Sequence, residues 1–468
     1  MTRARSTTKP AQSLLSYTPS RPFFPRGFLW DEGFHLLPVV DWDIDLAIEV
    51  VKSWLALMDE DGWIAREQIL GPEATSRVPP QFRVQYPHYA NPPTLIHLVP
   101  VILSKLTGQT PYRGHPSQYM ESPSKISALM GEIYPLFARH HAWFRRTQAG
   151  NLTGVYARPE GLLPGEGYRW RGRTPSLTLT SGLDDYPRAD PPHPGELHID
   201  ALAWVATSAA AMRQVAEYLD QPSDAAMYAA QLEAARKNLD ILHWDEGEKA
   251  YCDATIDKQG QFTRVCHLGY LSLMPLLLGL MDANHPNLAH VLDLLSNPSR
   301  LWSPYGLRSL SKQDAKYGKE ENYWRGAIWM NLNVLAALRL ADLGEKEGPE
   351  QGRARRLALE LRENAIRTVY DSWAETGFVW EQYSDTTGKG QRSRAFTGWT
   401  ACVLLLMGME GGSGIPAHEH LTFHGDESLR MLSTPVMVGA IGMMIVIVAL
   451  RRRMRRVFNT GLQWIRLR

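Results

Sequence analysis

Ten segments of this chain carry apolar residues at helical spacing, and that recurrence limits the fold more than any other feature. They run over about 36–59, 92–107, 122–148, 197–219, 223–243, 268–281, 286–296, 324–343, 352–372 and 396–410. In the fourth, Ala201, Trp204, Val205, Ala209 and Met212 fall on one helix face. Many of the segments are rich in Ala and Leu, which are strong helix formers. Strand signals are few, and no strict repeat recurs at a fixed period. The pattern predicts an all-α body with long loops, dense in Gly, Pro and Trp, on one side.

Charge is unevenly spread. The chain's net charge is +1, but residues 451–468 hold seven Arg and no acid. Removing those seven leaves a mildly acidic body, which argues against nucleic acid as a partner. Just before the basic tail, Met431 to Leu450 is a run of twenty residues without a charge. That length spans a bilayer as a helix. The following RRRMRR would stay cytosolic, leaving residues 1–430 in a lumen or outside. Residues 411–430, Gly-rich and polar at their start, read as a linker to this span. Residues 1–20 are basic and polar, read as unstructured, and carry no apolar core of a signal peptide. Asn151-Leu152-Thr153 is a glycosylation acceptor sequence. The three cysteines show no zinc-site spacing. Cys252 and Cys266 flank a polar, hairpin-like stretch, where either a disulfide or two free thiols would fit; Cys402 stands apart.

The unusual residues sit between the helical segments, where functional groups concentrate. FFPRGFLWDEGFH (23–35) gathers Arg26, Trp30, Asp31, Glu32 and His35. DGWIAREQ (61–68) and HYANPPT (88–94) follow, then SGLDDYPR (181–188), ENYWRGAIWMNLN (321–333), GFVWEQYSD (377–385) and FTGWT (396–400). All read as loops. The 15 Trp and 18 Tyr suit either a sugar cleft or a large helical core. Glycoside hydrolysis needs two carboxyl groups in unlike environments, one protonated and one ionised. A carboxyl against aromatic walls keeps its proton, and one near Arg stays charged. Trp380-Glu381 and Leu183-Asp184-Asp185 fit that need, with Arg26, Asn91 and Arg325 as planar partners for hydroxyls. On residue types alone, caps and loop ion pairs explain the same carboxyls equally well.

These motifs, in this order over residues 20–410, resemble the processing α-glucosidases of glycoside hydrolase family 63. A fainter likeness to trehalases appears at the same places. The resemblance implies an (α/α)6 toroid with the site at one mouth, inversion at the anomeric carbon, and no metal or cofactor. It implies Asp184 as general acid and Glu381 as the general base that activates water. An inverting pair stands about 6.5–9.5 Å apart to admit that water. Arg26, Trp30, Asp31, Asn91, Trp324, Arg325 and Trp399 would form the glucose-binding wall. Glu32 would support the site. Glu196 and Asp200, expected one turn apart on a helix face, would support the site or the fold.

The implied substrate is the terminal glucose of the triglucosylated high-mannose N-glycan precursor on nascent glycoproteins. The implied place is the endoplasmic reticulum membrane, single-pass, with a lumenal body. In the family a β-sandwich and some toroid helices precede the FLWDEGFH motif, whereas about twenty residues precede it here. The expectation is therefore a fragment with an open toroid that exposes apolar helix faces. A trehalase-like hydrolase and an inactive, membrane-tethered glycan binder are the alternatives.

Overall fold

The computed structural model describes residues 12–409. The expected membrane span 431–450, the linker 411–430 and the tail 451–468 lie outside the described residues. Among those described, no helix is long and apolar enough to cross a membrane.

Among the described residues twelve helices carry the fold: α1 (Leu29–Trp42), α2 (Ile44–Leu55), α3 (Gly71–Ser76), α4 (Thr94–Leu106), α5 (Pro123–Gln148), α6 (Ile199–Tyr218), α7 (Pro222–His243), α8 (Tyr270–Leu277), α9 (Leu288–Leu295), α10 (Met330–Glu345), α11 (Gln351–Thr376) and α12 (Val403–Gly408). Six of them form an inner ring. α1 packs on α4, α4 on α6, α6 on α8, and α8 on α10. α10 then meets α12 and the 3-10 turn Trp399–Cys402 before it, and both return to α1. Outside, α2 covers α1, α5 and α7 cover α6, α9 covers α8, and α11 covers α10.

The composition of each helix explains its layer. All eight residues of α8 are buried, and α6 buries fourteen of its twenty. A helix buried all round must be apolar or small all round, and the run ATSAAAM in α6 supplies that. In α11 the buried residues Ala354, Leu357, Ala358, Leu361 and Ala365 keep to one stripe. Inner contacts are close: a Cβ on Gly33 of α1 would fall 2.3 Å from Cβ of Thr94 in α4. Thr94 Oγ1 also donates to the Trp30 carbonyl at 2.8 Å.

Several expectations change here. The toroid is not open along its inner ring. Cys402 Sγ–H donates to the Phe34 carbonyl at 3.1 Å, joining the last turn to the first helix. The segment 23–35 is not all loop, because α1 begins at Leu29. Asp31, Glu32 and His35 interrupt its apolar periodicity, yet they are buried inside the ring. The single helix expected over 36–59 is two. Asp43 takes an extended conformation and caps α2 by accepting from the Leu46 N–H at 3.0 Å. Residues 15–20 are anchored rather than unstructured. Leu15 N–H donates to Ser53 Oγ, Ser16 Oγ–H to Glu32 Oε2 at 2.6 Å, and Tyr17 N–H to Glu32 Oε1.

Strands form five two-stranded antiparallel ribbons among the described residues. They are β1 (Gly27–Phe28) with β2 (Glu67–Gln68), β3 (Trp244–Asp245) with β4 (Ala250–Tyr251), β5 (Asp253–Ile256) with β6 (Phe262–Val265), β7 (Trp302–Ser303) with β8 (Gly306–Leu307), and β9 (Trp380–Tyr383) with β10 (Gly390–Arg394). A Cys252–Cys266 disulfide closes the β5–β6 ribbon, and Cys402 is free and buried.

Candidate active site

One pocket of about 210 Å³ opens over one end of the ring. Asp31, Asp184 and Glu381 line it together with Arg26, Trp30, Asn91, Trp324 and Trp399. Glu32 lies behind them and ties down residues 16 and 17. Arg325, Glu196 and Asp200 do not line it.

Asp184 reaches the pocket from a turn that only glycine permits. Gly182 has φ +78°, and a Cβ there would fall 2.6 Å from the Trp30 ring. Burial, the largest effect, pushes the Asp184 carboxyl up to about 8. Arg66 pulls against it, while Asp185, Glu67 and Asp31 add to the rise. Asp31, in the first turn of α1, is pushed up to about 7 by burial, with His35 opposing and Glu32 and Glu381 assisting. At neutral pH Asp184 therefore holds a proton it can give.

Glu381 comes from β9. Both of its carboxylate oxygens accept: Oε1 from the Tyr323 hydroxyl and Oε2 from the Ser393 N–H at 3.1 Å. Its main-chain carbonyl accepts from Trp399 Nε1–H at 3.0 Å. Burial and the nearby Glu381 and Asp184 carboxyls raise the Tyr323 phenol well above its ordinary value. Tyr323 thus stays a donor. A tryptophan wall stands beside the pair. Trp324 stacks on Trp329 with centroids 3.7 Å apart, and Trp30 lies 6.0 Å from Trp324 and 5.7 Å from Trp399.

The two adjacent aspartates part company in the structure. Asp185 is buried and does not line the pocket. Its carboxylate accepts from Tyr323 N–H at 3.0 Å and Trp324 N–H at 2.6 Å. Arg325, expected on the sugar wall, instead donates from Nε to the Asp185 carbonyl at 2.8 Å and pairs with its carboxylate. Arg325 is therefore a strut behind the wall. Asn91 links helix to loop: it accepts from Trp30 N–H and donates to the Thr180 carbonyl.

Glu196 and Asp200 do not share a helix face, because α6 starts only at Ile199. They belong to a buried ion-pair knot away from the pocket. Arg188 bridges Asp200 at 2.6 Å and Asp253 at 2.9 Å. Glu196 pairs with Arg169 and Arg173, each at 3.2 Å. Burial, the largest single effect, pushes Asp253 up, but Arg188, His198, the Ile199 N–H and His243 together hold the carboxyl low. Glu196 is likewise held low by His198, Arg173 and Arg169 against burial.

Sequence reasoning missed Arg66, Glu67 and Tyr323 as site residues. Glu67 accepts from Arg26 Nε–H at 2.8 Å and pairs with Arg66 at 2.6 Å. All three missed residues sit inside quoted motifs. Only the β1–β2 pairing and the Asp185 cap reveal that they face the pocket.

Residues 2–409 match the model of the glycosyl hydrolase family 63 C-terminal domain. The "Probable mannosyl-oligosaccharide glucosidase" of Schizosaccharomyces pombe is 45% identical over 414 residues, covering 85% of this chain and 51% of that protein. The chain spans about half the length of the curated relatives it matches. Among solved structures, the family 63 mannosylglycerate hydrolase of Thermus thermophilus, in complex with glucose, aligns with a TM-score of 0.61 at 16% identity. That alignment covers 85% of this chain and 96% of the other. Neutral trehalase of Saccharomyces cerevisiae aligns with a TM-score of 0.54 at 13% identity, over 82% and 72% of the two chains.

Proposed function

This chain belongs to glycosyl hydrolase family 63, and from that premise we propose that it is an inverting exo-α-glucosidase acting on glucosylated N-glycan precursors. One observation carries the reading: Asp184 and Glu381 meet in a single tryptophan-walled pocket, where burial pushes the Asp184 carboxyl up and both Glu381 carboxylate oxygens accept hydrogen bonds.

In this mechanism Asp184 gives its proton to the glycosidic oxygen as that bond breaks. Glu381 takes a proton from a water that attacks the anomeric carbon on the opposite face. Trp30, Trp324 and Trp399 offer apolar faces to the sugar ring, and Asp31 and Arg26 offer partners to its hydroxyls. The pocket is smaller than the roughly 300–1,000 Å³ of sites for drug-sized ligands, which favours a single terminal sugar. The half-length match to relatives named as mannosyl-oligosaccharide glucosidases supports the α-1,2-linked outermost glucose as the one removed.

The reading also assigns the chain to the endoplasmic reticulum membrane with its body in the lumen. The uncharged run 431–450 and its arginine flank support that topology. The Cys252–Cys266 bridge fits an oxidising compartment. Protease protection of residues 12–409 in sealed microsomes is the expected result.

The deciding experiment follows glucose release from a triglucosylated oligosaccharide by NMR. β-Glucose should form first, and trehalose should be left intact. α-Glucose as the first product would overturn inversion. Preferred cleavage of trehalose would favour a trehalase-like enzyme, and binding without release would favour a glycan-binding remnant.

A further inference from the structure

Among the described residues, backbone strain is concentrated beside Glu381. Six described residues other than glycine have positive φ, and four of them flank the site: Glu320 at +60°, Asn322 at +50°, Arg392 at +65° and Ala395 at +52°. Such conformations are costly and persist where surrounding contacts enforce them. Arg392 sits in a bulge of β10, where the pairing with β9 slips between Gln391 and Arg394. A bulge of this kind re-aims a side chain and increases local twist.

The re-aimed side chain spans the gap to the other strained segment. Arg392 Nη2–H donates to the Glu321 carbonyl at 2.6 Å and to the Asn322 carbonyl at 3.4 Å. Its guanidinium carbon lies 5.3 Å from the centroid of the Tyr323 ring. Nη1 meets the Glu321 carboxylate at 3.4 Å. The next residue, Ser393, gives its N–H to Glu381 Oε2. Tyr323, beneath the guanidinium, gives its hydroxyl to Glu381 Oε1. Both donors to the Glu381 carboxylate therefore depend on one residue, through its backbone on one side and its side chain on the other.

We propose that Arg392 is a positioning residue for the general base, acting through Ser393 and Tyr323 to aim the Glu381 carboxylate. This rests on Glu381 being the base. Arg392 itself is partly exposed and does not line the pocket, so it acts without touching substrate. An unpaired surface arginine would not need a left-handed backbone; the strain is retained because the guanidinium and the Ser393 N–H must face in these two directions together.

The test separates aim from stability. In Arg392→Gly the guanidinium is lost, while the left-handed conformation becomes easy. The variant should melt at or above the wild-type temperature. Its kcat should fall on the order of 10- to 100-fold, as for small misplacements of a catalytic group, with KM unchanged. The loss should be the same on α-glucosyl fluoride, whose leaving group needs no acid, because the defect lies with the attacking water. Arg392→Lys keeps a cation over Tyr323 but not both carbonyl contacts, and should recover part of kcat. A stable Arg392→Gly enzyme with wild-type kcat would overturn the proposal. Glu381→Gln is measured beside it: if that variant is inactive while Arg392→Gly is not impaired, only the positioning role fails. If Glu381→Gln is itself active, the assignment of the base fails with it.

Discussion

Two buried clusters of carboxyl groups in this protein are built from the same residue types and behave in opposite ways. In the knot around Arg188, Asp200 and Asp253 share Arg188, and Glu196 has Arg169 and Arg173. In the pocket, Asp31, Asp184 and Glu381 face one another, with Arg66 pulling on Asp184 but not cancelling its burial. In the knot, cationic neighbours hold Asp253 and Glu196 low, whereas in the pocket burial pushes Asp31 and Asp184 up. Burial alone does not distinguish structural from reactive carboxyls; the local count of cations does.

Breaking the pocket should show the largest effect. Asp184→Asn and Glu381→Gln should each lower kcat by about 10³- to 10⁴-fold, the upper part of the range for lost acid–base catalysis. Unchanged circular dichroism and a melting temperature at or above that of the wild type would confirm that chemistry alone was lost. Near wild-type turnover in either would remove that residue from the mechanism. In the wild type, kcat/KM should decline as pH rises through about 8, where Asp184 gives up its proton.

Breaking the knot should do the reverse, harming the fold first. Arg188→Met leaves Asp200 and Asp253 buried without their cation, a loss of about 3–5 kcal/mol. Denaturant midpoints would measure it, and a change under about 1 kcal/mol would mean the knot is not structural. Opening the neighbouring ribbon is milder. Cys252→Ala with Cys266→Ala should cost roughly 3 kcal/mol by the chain-entropy estimate for a loop of this size, read from the same midpoints.

The subtlest contrast is in pH dependence. Asp184 binds its proton more tightly folded than unfolded, so stability falls as pH rises from about 4 to about 8. Asp253 and Glu196, held low, contribute stability that is present above the unfolded value near 4 and is lost as pH falls through their folded values. Asp184→Asn should therefore be more stable than wild type at pH 9, on the order of 1 kcal/mol after allowing for solvent at the pocket. Below pH 4 the two should match. Equal stability at both values would show that the pocket imposes no such strain.

Much of the helical frame is legible in the sequence, because outer helices such as α5, α7 and α11 bury one stripe and expose the rest. The start of α1 reads as loop for the opposite reason. It lies inside the ring, so its polar residues are buried with its apolar ones and the usual periodicity disappears. Asp184, Glu381 and the tryptophans are named through motif resemblance, and the pocket holds them together. Arg325 reads as a wall residue and is a strut, while Tyr323, two positions before it, reaches Glu381 unannounced. Which of two neighbours faces a pocket depends on the Asp185 cap, a contact between residues 138 and 139 positions apart. No local pattern encodes that.

The Asp185 cap also bears on how the active site tolerates change elsewhere. From Asp184 one peptide bond leads to Asp185, whose carboxylate grips the Tyr323 N–H, and the Tyr323 hydroxyl reaches Glu381. The two carboxyls proposed as acid and base are thus gauged by a short caliper lying across the mouth, not by the diameter of the whole ring. Substitutions that swell or tilt the outer helices should leave the jaw width, and with it the room for a single water, nearly untouched.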